Sequence, residues 1–140
     1  MIAIIRIEGK VKLRQDIEET LSRLRLKNKF SCVVVEEKDK VKMGMLKKAK
    51  DSVAFGEIDN PTLIRLIEKR GRRIDFKEVK DAEKIAEEVK KGTKLEELGL
   101  KPLFRLHPPR GGLKSSKKQF PRGVLGNHGK EINKLIEGML

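Results

Sequence analysis

The sequence predicts an α/β (α+β) fold in which a small sheet carries helices on one face. Over the first 60 residues, segments typical of strands and helices alternate as strand, helix, strand, helix, strand. The chain has 140 residues, which suits a single domain. Only 37% of the residues are hydrophobic and 39% are charged, so the core is small and long charged side chains cover it. This pattern leaves the strand order open.

Residues 1–59 are predicted to form the α/β core. An isoleucine-rich segment, a β-branched segment and a third apolar segment are the predicted strands, at 1–7, 31–36 and 53–58. A first helix over 12–26 carries leucines at helical spacing, and Asp39 is placed to cap a second one. Gly56, inside the third strand, marks a bulge or a close approach of another backbone.

Residues 60–140 are predicted to extend this core within one structural unit. Helices are expected near 61–70, 81–91 and 130–139. Asn60 is the predicted N-cap of the first of these, Pro61 its first residue, and Gly71 its left-handed stop. The segment 93–96 reads as a capping box that opens a short turn before Gly99. Residues 101–129 hold four of the five prolines and show no periodicity, so we expect an irregular basic segment there.

Charge is the most informative feature of the composition. The formal net charge is +13, and residues 101–130 contain eight Lys or Arg and no acidic residue. A segment with charges of one sign repels itself unless a polyanion neutralises it. The sequence therefore predicts a nucleic-acid partner.

Several classes of protein are excluded by the same composition. The single cysteine, Cys32, rules out an internal disulfide and a cysteine-only zinc site. Its place at the start of an apolar strand predicts a small buried side chain. The apolar run at 1–7 is too short for a membrane span and has no basic segment before it, so we expect no signal peptide, no membrane contact and a cytoplasmic protein. The glycine-rich stretches match no phosphate loop, and we expect no cofactor, no metal and no small-molecule substrate.

Catalysis has one candidate pair. His107 and His128 could act as acid and base in RNA cleavage, but both lie among Pro, Gly, Lys and Arg in the irregular basic segment. Adjacent carboxylate pairs, such as Glu87 and Glu88, point apart and read as solvated helix faces. The sequence predicts a binding protein and no enzyme.

The predicted nucleic-acid contacts are basic residues alternating with proline and glycine, which keep the backbone extended and let it approach a phosphate closely. The primary candidates are Lys101, Arg105, Arg110, Gly111, Gly112, Lys114, Lys117, Lys118 and Arg122. A second patch, at the end of the helix near 61–70, comprises Arg65, Lys69, Arg70, Arg72 and Arg73. Arg70, Arg72 and Arg73 in that patch, together with Arg23 and Arg25, are the secondary candidates. The chain has no Trp or Tyr and five scattered Phe, which favours docking onto folded RNA over stacking on single strands.

The chain resembles the large-ribosomal-subunit protein of the L-thirty family, in the archaeal form related to eukaryotic L-seven. The resemblance covers essentially the full length and depends on short motifs in a fixed order. These are Leu24-Arg-Leu26, Gly44-Met45, Phe55-Gly56, Leu63-Ile64, Lys69-Arg70-Gly71, the run from Phe104 to Gly112, and the run from Lys130 to Ile136.

The resemblance implies a three-stranded antiparallel sheet with two helices on one face, ferredoxin-like, and places 60–140 beyond the end of bacterial relatives. It further implies a structural component of the ribosome that binds large-subunit rRNA near the 5S rRNA, contacts neighbouring ribosomal proteins and has no enzymatic activity. The sequence lacks the long basic N-terminal arm of eukaryotic relatives, so no contact of that arm carries over. The alternative is a free-standing RNA chaperone or regulator that uses the same surface on many RNAs.

Overall fold

The protein is described here by a computed structural model. Its described parts are 1–9, 13–71, 81–93, 95–101, 103–110, 112, 115–120 and 122–140, and over 115–119 the description covers the backbone. The predicted contact residues Arg72, Arg73, Gly111 and Lys114 lie outside these residues.

In the described parts of the chain, six strands form the sheet, in the order β4-β2-β1-β3-β6-β5. The strands are β1 (Ile2–Arg6), β2 (Ser31–Val35), β3 (Val53–Glu57), β4 (Phe104–Arg105), β5 (Ser115–Gln119) and β6 (Gly123–Asn127). Strand β1 pairs antiparallel with both β2 and β3, and the short β4 pairs antiparallel with β2. Strand β6 runs parallel to β3 and completes a five-stranded main sheet, and β5 adds to its outer edge.

The α/β class is confirmed, whereas the implied three-stranded sheet is wrong. The three predicted strands are the central ones, β2-β1-β3, and they are antiparallel as the resemblance implies. The extension adds strands to both of their edges, because β2 and β3 would otherwise leave unpaired backbone groups there.

Five α-helices are found among the described residues, and they surround the sheet. They are α1 (Gln15–Arg23), α2 (Lys40–Ala49), α3 (Asn60–Arg70), α4 (Ala82–Lys90) and α5 (Ile132–Met139). Each corresponds to a predicted helix, although α1 is shorter than the predicted 12–26. A 3₁₀ turn (Gly129–Glu131) leads into α5.

The helices lie in two layers on opposite faces of the sheet. On one face, Ile4 and Val33 pack against Leu21 of α1 and Leu46 of α2. The other face carries a larger core built from α3, α4, α5 and the segments that follow them. Alternate residues of a strand point to opposite faces, so β1 feeds both cores. The extension thus covers the face that the two-helix core leaves open.

Two details of α3 differ from the prediction. Asp59, and not Asn60, is the N-cap, since its carboxylate accepts a hydrogen bond of 2.9 Å from the Thr62 N–H. Gly71 ends the helix with φ −65°, so the predicted left-handed stop is wrong, and its N–H still bonds the Ile67 carbonyl at 2.9 Å. From the sequence, either Asp59 or Asn60 could be the N-cap. Asp59 takes this position because its side chain reaches an N–H group of the first turn.

The short turn expected after α4 is the 3₁₀ helix Leu95–Leu98, which Gly99 ends with φ +77°. The hydroxyl of Thr93, the first residue of the predicted capping box, donates to the Glu88 carboxylate of α4 at 3.5 Å.

The irregular segment predicted at 101–129 is wrong over much of its length, because β4, β5 and β6 lie within it. Strand β6, with the sequence Gly-Val-Leu-Gly-Asn, is mostly buried and pairs in parallel with β3. Glycine at both ends of a short apolar pair reads as a loop in sequence, and only the tertiary partner β3 makes it a strand.

Gly56 of β3 allows the segment from Gly129 to Ile132 to pass close to the strand. A Cβ at Gly56 would meet the Gly129 carbonyl and the side chain of Ile132. The interpretation as a close backbone approach is therefore confirmed, and it lets α5 sit directly on β3.

Candidate nucleic-acid interface

A short alternating segment after α1 presents basic side chains to solvent. Along Arg23, Leu24, Arg25, Leu26 and Lys27, the two leucines are buried and the three basic residues are exposed. The leucines belong to the core beneath α1 and α2. Burial of Leu24 and Leu26 therefore orients three cations toward the same side of the molecule.

Arg25 occupies the position at which helix ends usually have glycine. The Leu26 N–H bonds the Leu21 carbonyl at 2.8 Å and the Arg25 N–H bonds the Ser22 carbonyl at 3.0 Å, which is a Schellman ending. Arg25 has φ +67°, a left-handed conformation that a non-glycine residue adopts at a cost of about 1 kcal/mol or more. The helix therefore ends at Arg23, before the predicted end at residue 26, because no glycine in the sequence marks this position.

Arg6 supports this segment from below. Its side chain is fully buried, and its guanidinium donates to the carbonyls of Leu26 at 2.8 Å and Lys27 at 3.0 Å. It also donates to the carbonyls of Glu8 at 2.9 Å and Gly9 at 3.5 Å. Burial lowers the pKa of the Arg6 guanidinium, and the carboxylates of Glu18 and Glu8 oppose that shift. Arg6 remains a cation, and its bonds fix the backbone from which Lys27 projects.

Strand β4 brings a fourth cation from the extension. Ser31 pairs with Arg105 and Cys32 pairs with Phe104. Phe104 is 1% exposed and anchors β4 in the larger core, so the next side chain along the strand, Arg105, points to the opposite face and is exposed. Residues about 80 positions apart in the sequence thus become neighbours.

These residues line one groove of about 400 Å³, which we call the basic groove. Its lining is Ser22, Arg23, Arg25, Lys27, Asn28, Ser31, Leu103 and Arg105. Four of the eight carry a positive charge and none carries a negative one. Outside the lining, Glu96 contacts Arg25 at 2.7 Å, an exposed pair of small energetic weight. Four cations held at one concave surface attract a polyanion.

The remaining predicted contacts are dispersed. Arg110 and Gly112 line a separate hollow beside Phe120, and Arg122 is exposed in the turn before β6. Lys101 and Arg70 are half-buried, and Arg70 lies at the end of α3 in the opposite layer. Lys117 and Lys118 lie in β5, where the backbone alone is described, and Gly111, Lys114, Arg72 and Arg73 lie outside the described residues.

Sequence reasoning named Arg23, Arg25 and Arg105 and missed Lys27 and Arg6. The alternation of basic residues and leucines over 23–27 was the signal for Lys27. For Arg6 the signal was the presence of a charged residue within an isoleucine-rich strand. A charge that is buried there needs hydrogen-bond partners, which indicates a structural function.

The two histidines lie in different environments. His128 is buried, its Nε2 lies 2.6 Å from the Val124 carbonyl oxygen, and its ring packs 4.4 Å from that of Phe120. His107 is exposed. Cys32 is buried as predicted, and burial raises the pKa of its thiol to about 12.

The described residues contain no group of three or more His, Cys, Asp or Glu placed to hold a metal ion. Among them, no helix is long and apolar enough to cross a membrane.

Comparison with known proteins decides the family. The model of the Ribosomal protein L30p/L7e family matches residues 2–53, which run from β1 through α1, β2 and α2 to the first residue of β3. The large ribosomal subunit protein uL30 of Archaeoglobus fulgidus is 41% identical over 152 aligned residues, which cover 99% of each chain. This chain belongs to the uL30 family.

Other uL30 proteins are similar over the same length. That of Desulfurococcus amylolyticus is 44% identical, covering 100% of this chain and 98% of its own. That of Methanocella arvoryzae is 42% identical, covering 99% of each. As a uL30 protein, the chain is a structural, non-enzymatic component of the large subunit of cytoplasmic ribosomes, which excludes the RNA-cleaving role for His107 and His128.

Proposed function

We propose that this protein binds large-subunit rRNA through phosphate contacts in the basic groove, and that it thereby helps the rRNA to fold and pack. The observation that carries the proposal is the convergence of Arg23, Arg25, Lys27 and Arg105 on one groove with no acidic lining residue. Membership of the uL30 family supports RNA as the polyanion.

The groove suits phosphates for chemical reasons. An arginine guanidinium offers a planar fork that binds two phosphate oxygens or bridges two phosphates, and Lys27 supplies a point charge. Each contact releases condensed counter-ions, which favours binding independently of base sequence. The groove is held in place before binding by the Arg6 bonds and by the Schellman ending of α1. Less conformational entropy is therefore lost when RNA docks.

Further contacts complete the proposal beyond the groove. We assign Arg110 and Arg122 to the same function by their charge and exposure, and Gly112 by its exposure; the half-buried Lys101 and Arg70 are assigned by their charge. Gly111, Lys114, Lys117, Lys118, Arg72 and Arg73 are assigned on sequence alone. We also infer, from the family resemblance, a position near the 5S rRNA and contacts with neighbouring ribosomal proteins.

Binding to transcribed RNAs tests this function against the RNA-chaperone alternative. We expect the protein to prefer large-subunit rRNA over small-subunit rRNA of equal length by at least about tenfold at about 0.15 M salt, because shape-specific docking adds to the phosphate contacts. The affinity should fall steeply with salt, by about 0.7 to 0.9 in log–log slope for each phosphate neutralised. Equal affinity for both RNAs would favour the chaperone, and a flat salt response would contradict RNA binding through this groove.

A further inference from the structure

Helix α2 has an outward surface that its packing in this chain does not explain. Leu46 and Ala49 are buried against the sheet, and Met43 and Met45 are half-buried beside them. On the opposite side of the helix lie exposed residues that we call the lysine face. They are Lys40, Val41, Gly44, Lys47 and Lys48.

Gly44 lies at the centre of this face and in the middle of the helix. Glycine is the least favourable helix-interior residue after proline, because it loses the most backbone entropy. In the described parts of the chain, and apart from the two adjacent residues and the backbone of α2 itself, no atom lies within 4 Å of the position that a Cβ on Gly44 would occupy. Packing among these residues therefore gives no reason for glycine here, whereas close contact with another molecule would give one.

Three cations surround Gly44. Lys40, Lys47 and Lys48 are four residues before, three after and four after it, which are the positions adjacent on a helix surface. No ion pair within 4.0 Å involves any of the three in the described part of the chain. Val41 beside them is 69% exposed, so the face also presents apolar surface.

We propose that the lysine face of α2 is a second rRNA-binding surface, on which a phosphate backbone lies directly against Gly44. Ammonium groups bind phosphate as point charges. Because Gly44 has no side chain, the RNA backbone can come close to the helix at the centre of the lysine face. The inference deepens the proposed function and depends on it.

The test uses substitutions at Gly44 in the full-length protein. Gly44→Ala should raise the melting temperature, because a Cβ here meets open space and alanine favours helix. The same change should weaken binding to transcribed large-subunit rRNA, and the longer Gly44→Gln should weaken it by about tenfold through loss of close approach. Gly9→Ala is the matched control, since Gly9 is also exposed with no atom within 4 Å of an added Cβ.

Removing the lysine charges tests the same face independently of the substitutions at Gly44. The triple change Lys40→Gln, Lys47→Gln, Lys48→Gln should make the salt slope shallower by about 2, since each phosphate contact contributes 0.7 to 0.9. The control removes three exposed lysines from and beside α4 by Lys84→Gln, Lys90→Gln and Lys91→Gln, and should change the slope by less than about 0.5.

The outcomes separate this inference from the proposed function. If the wild-type protein binds rRNA selectively and both the Gly44→Gln and the triple variants bind equally well, the lysine face is not an RNA surface. If these variants bind rRNA normally but fail to enter large subunits, the face docks a protein, and the inference is likewise overturned. If the wild-type protein does not bind rRNA, the proposed function fails first and this inference with it.

Discussion

Replacing Arg6 by methionine is expected to lower the free energy of unfolding by about 3 kcal/mol or more, a large part of the roughly 5–15 kcal/mol available to a domain. Apolar substitution of a buried ion pair is often harmless because both charges leave together. The partners of Arg6 are the backbone carbonyls of Glu8, Gly9, Leu26 and Lys27, which remain after the substitution. Those in the buried environment lose their donor, and each such acceptor costs about 1–3 kcal/mol.

Urea unfolding followed by far-ultraviolet circular dichroism measures this loss, since the chain has no Trp or Tyr for intrinsic fluorescence. Arg6→Lys should recover only part of the stability, because an ammonium on a flexible stem cannot reproduce the fork of bonds. Arg14→Met is the matched control. The Arg14 side chain is 79% exposed, and its ion-pair partner among the described residues is Asp16 at the surface, so its loss should stay within about 0.5 kcal/mol. A loss below about 1 kcal/mol for Arg6→Met would contradict the structural role of this residue.

Removing the four charges of the basic groove is expected to weaken binding to large-subunit rRNA by roughly 100-fold at about 0.15 M salt. The variant carries Arg23→Gln, Arg25→Gln, Lys27→Gln and Arg105→Gln. Its log–log salt slope should be shallower by about 3, since four phosphates at 0.7 to 0.9 each would lose their contacts. All four side chains are exposed, so the variant should remain folded, which circular dichroism verifies.

A variant of equal charge separates local contacts from a general effect of net charge. It removes four exposed lysines of the opposite layer through Lys84→Gln, Lys90→Gln, Lys91→Gln and Lys134→Gln. We expect it to lose less than about threefold in affinity, because these residues are not in the groove. Equal losses for the two variants would mean that total charge, and not the groove, determines binding.

The sequence predicted the local structure well where one segment determines it. The isoleucine-rich β1, the β-branched β2 and the periodic helices α1 and α5 all formed, because side-chain periodicity alone fixes which face is buried. Strand β6 was missed because its two apolar residues lie between glycines and gain their pairing from the distant β3. The Asp59 cap was missed because neighbouring Asp and Asn compete for one position.

The candidate site shows the same division. Residue type identified Arg23, Arg25 and Arg105 as cations available for RNA, but not that they meet. Their convergence needs the pairing of β4 with β2, which brings Arg105 beside the end of α1. Arg6 lies in a predicted strand, within the apolar run at 1–7. Its function in shaping the groove is visible only once the carbonyls of Leu26 and Lys27 are placed around it.

Cross-linking of purified large ribosomal subunits containing this protein tests the central claim most directly. Ultraviolet irradiation followed by mass spectrometry identifies the peptides joined to rRNA. We predict cross-links in the peptides containing Arg23 to Lys27 and Arg105, because these residues line the basic groove. Cross-links confined to α3, α4 and α5, with none in these two segments, would contradict the proposal that the groove holds the rRNA.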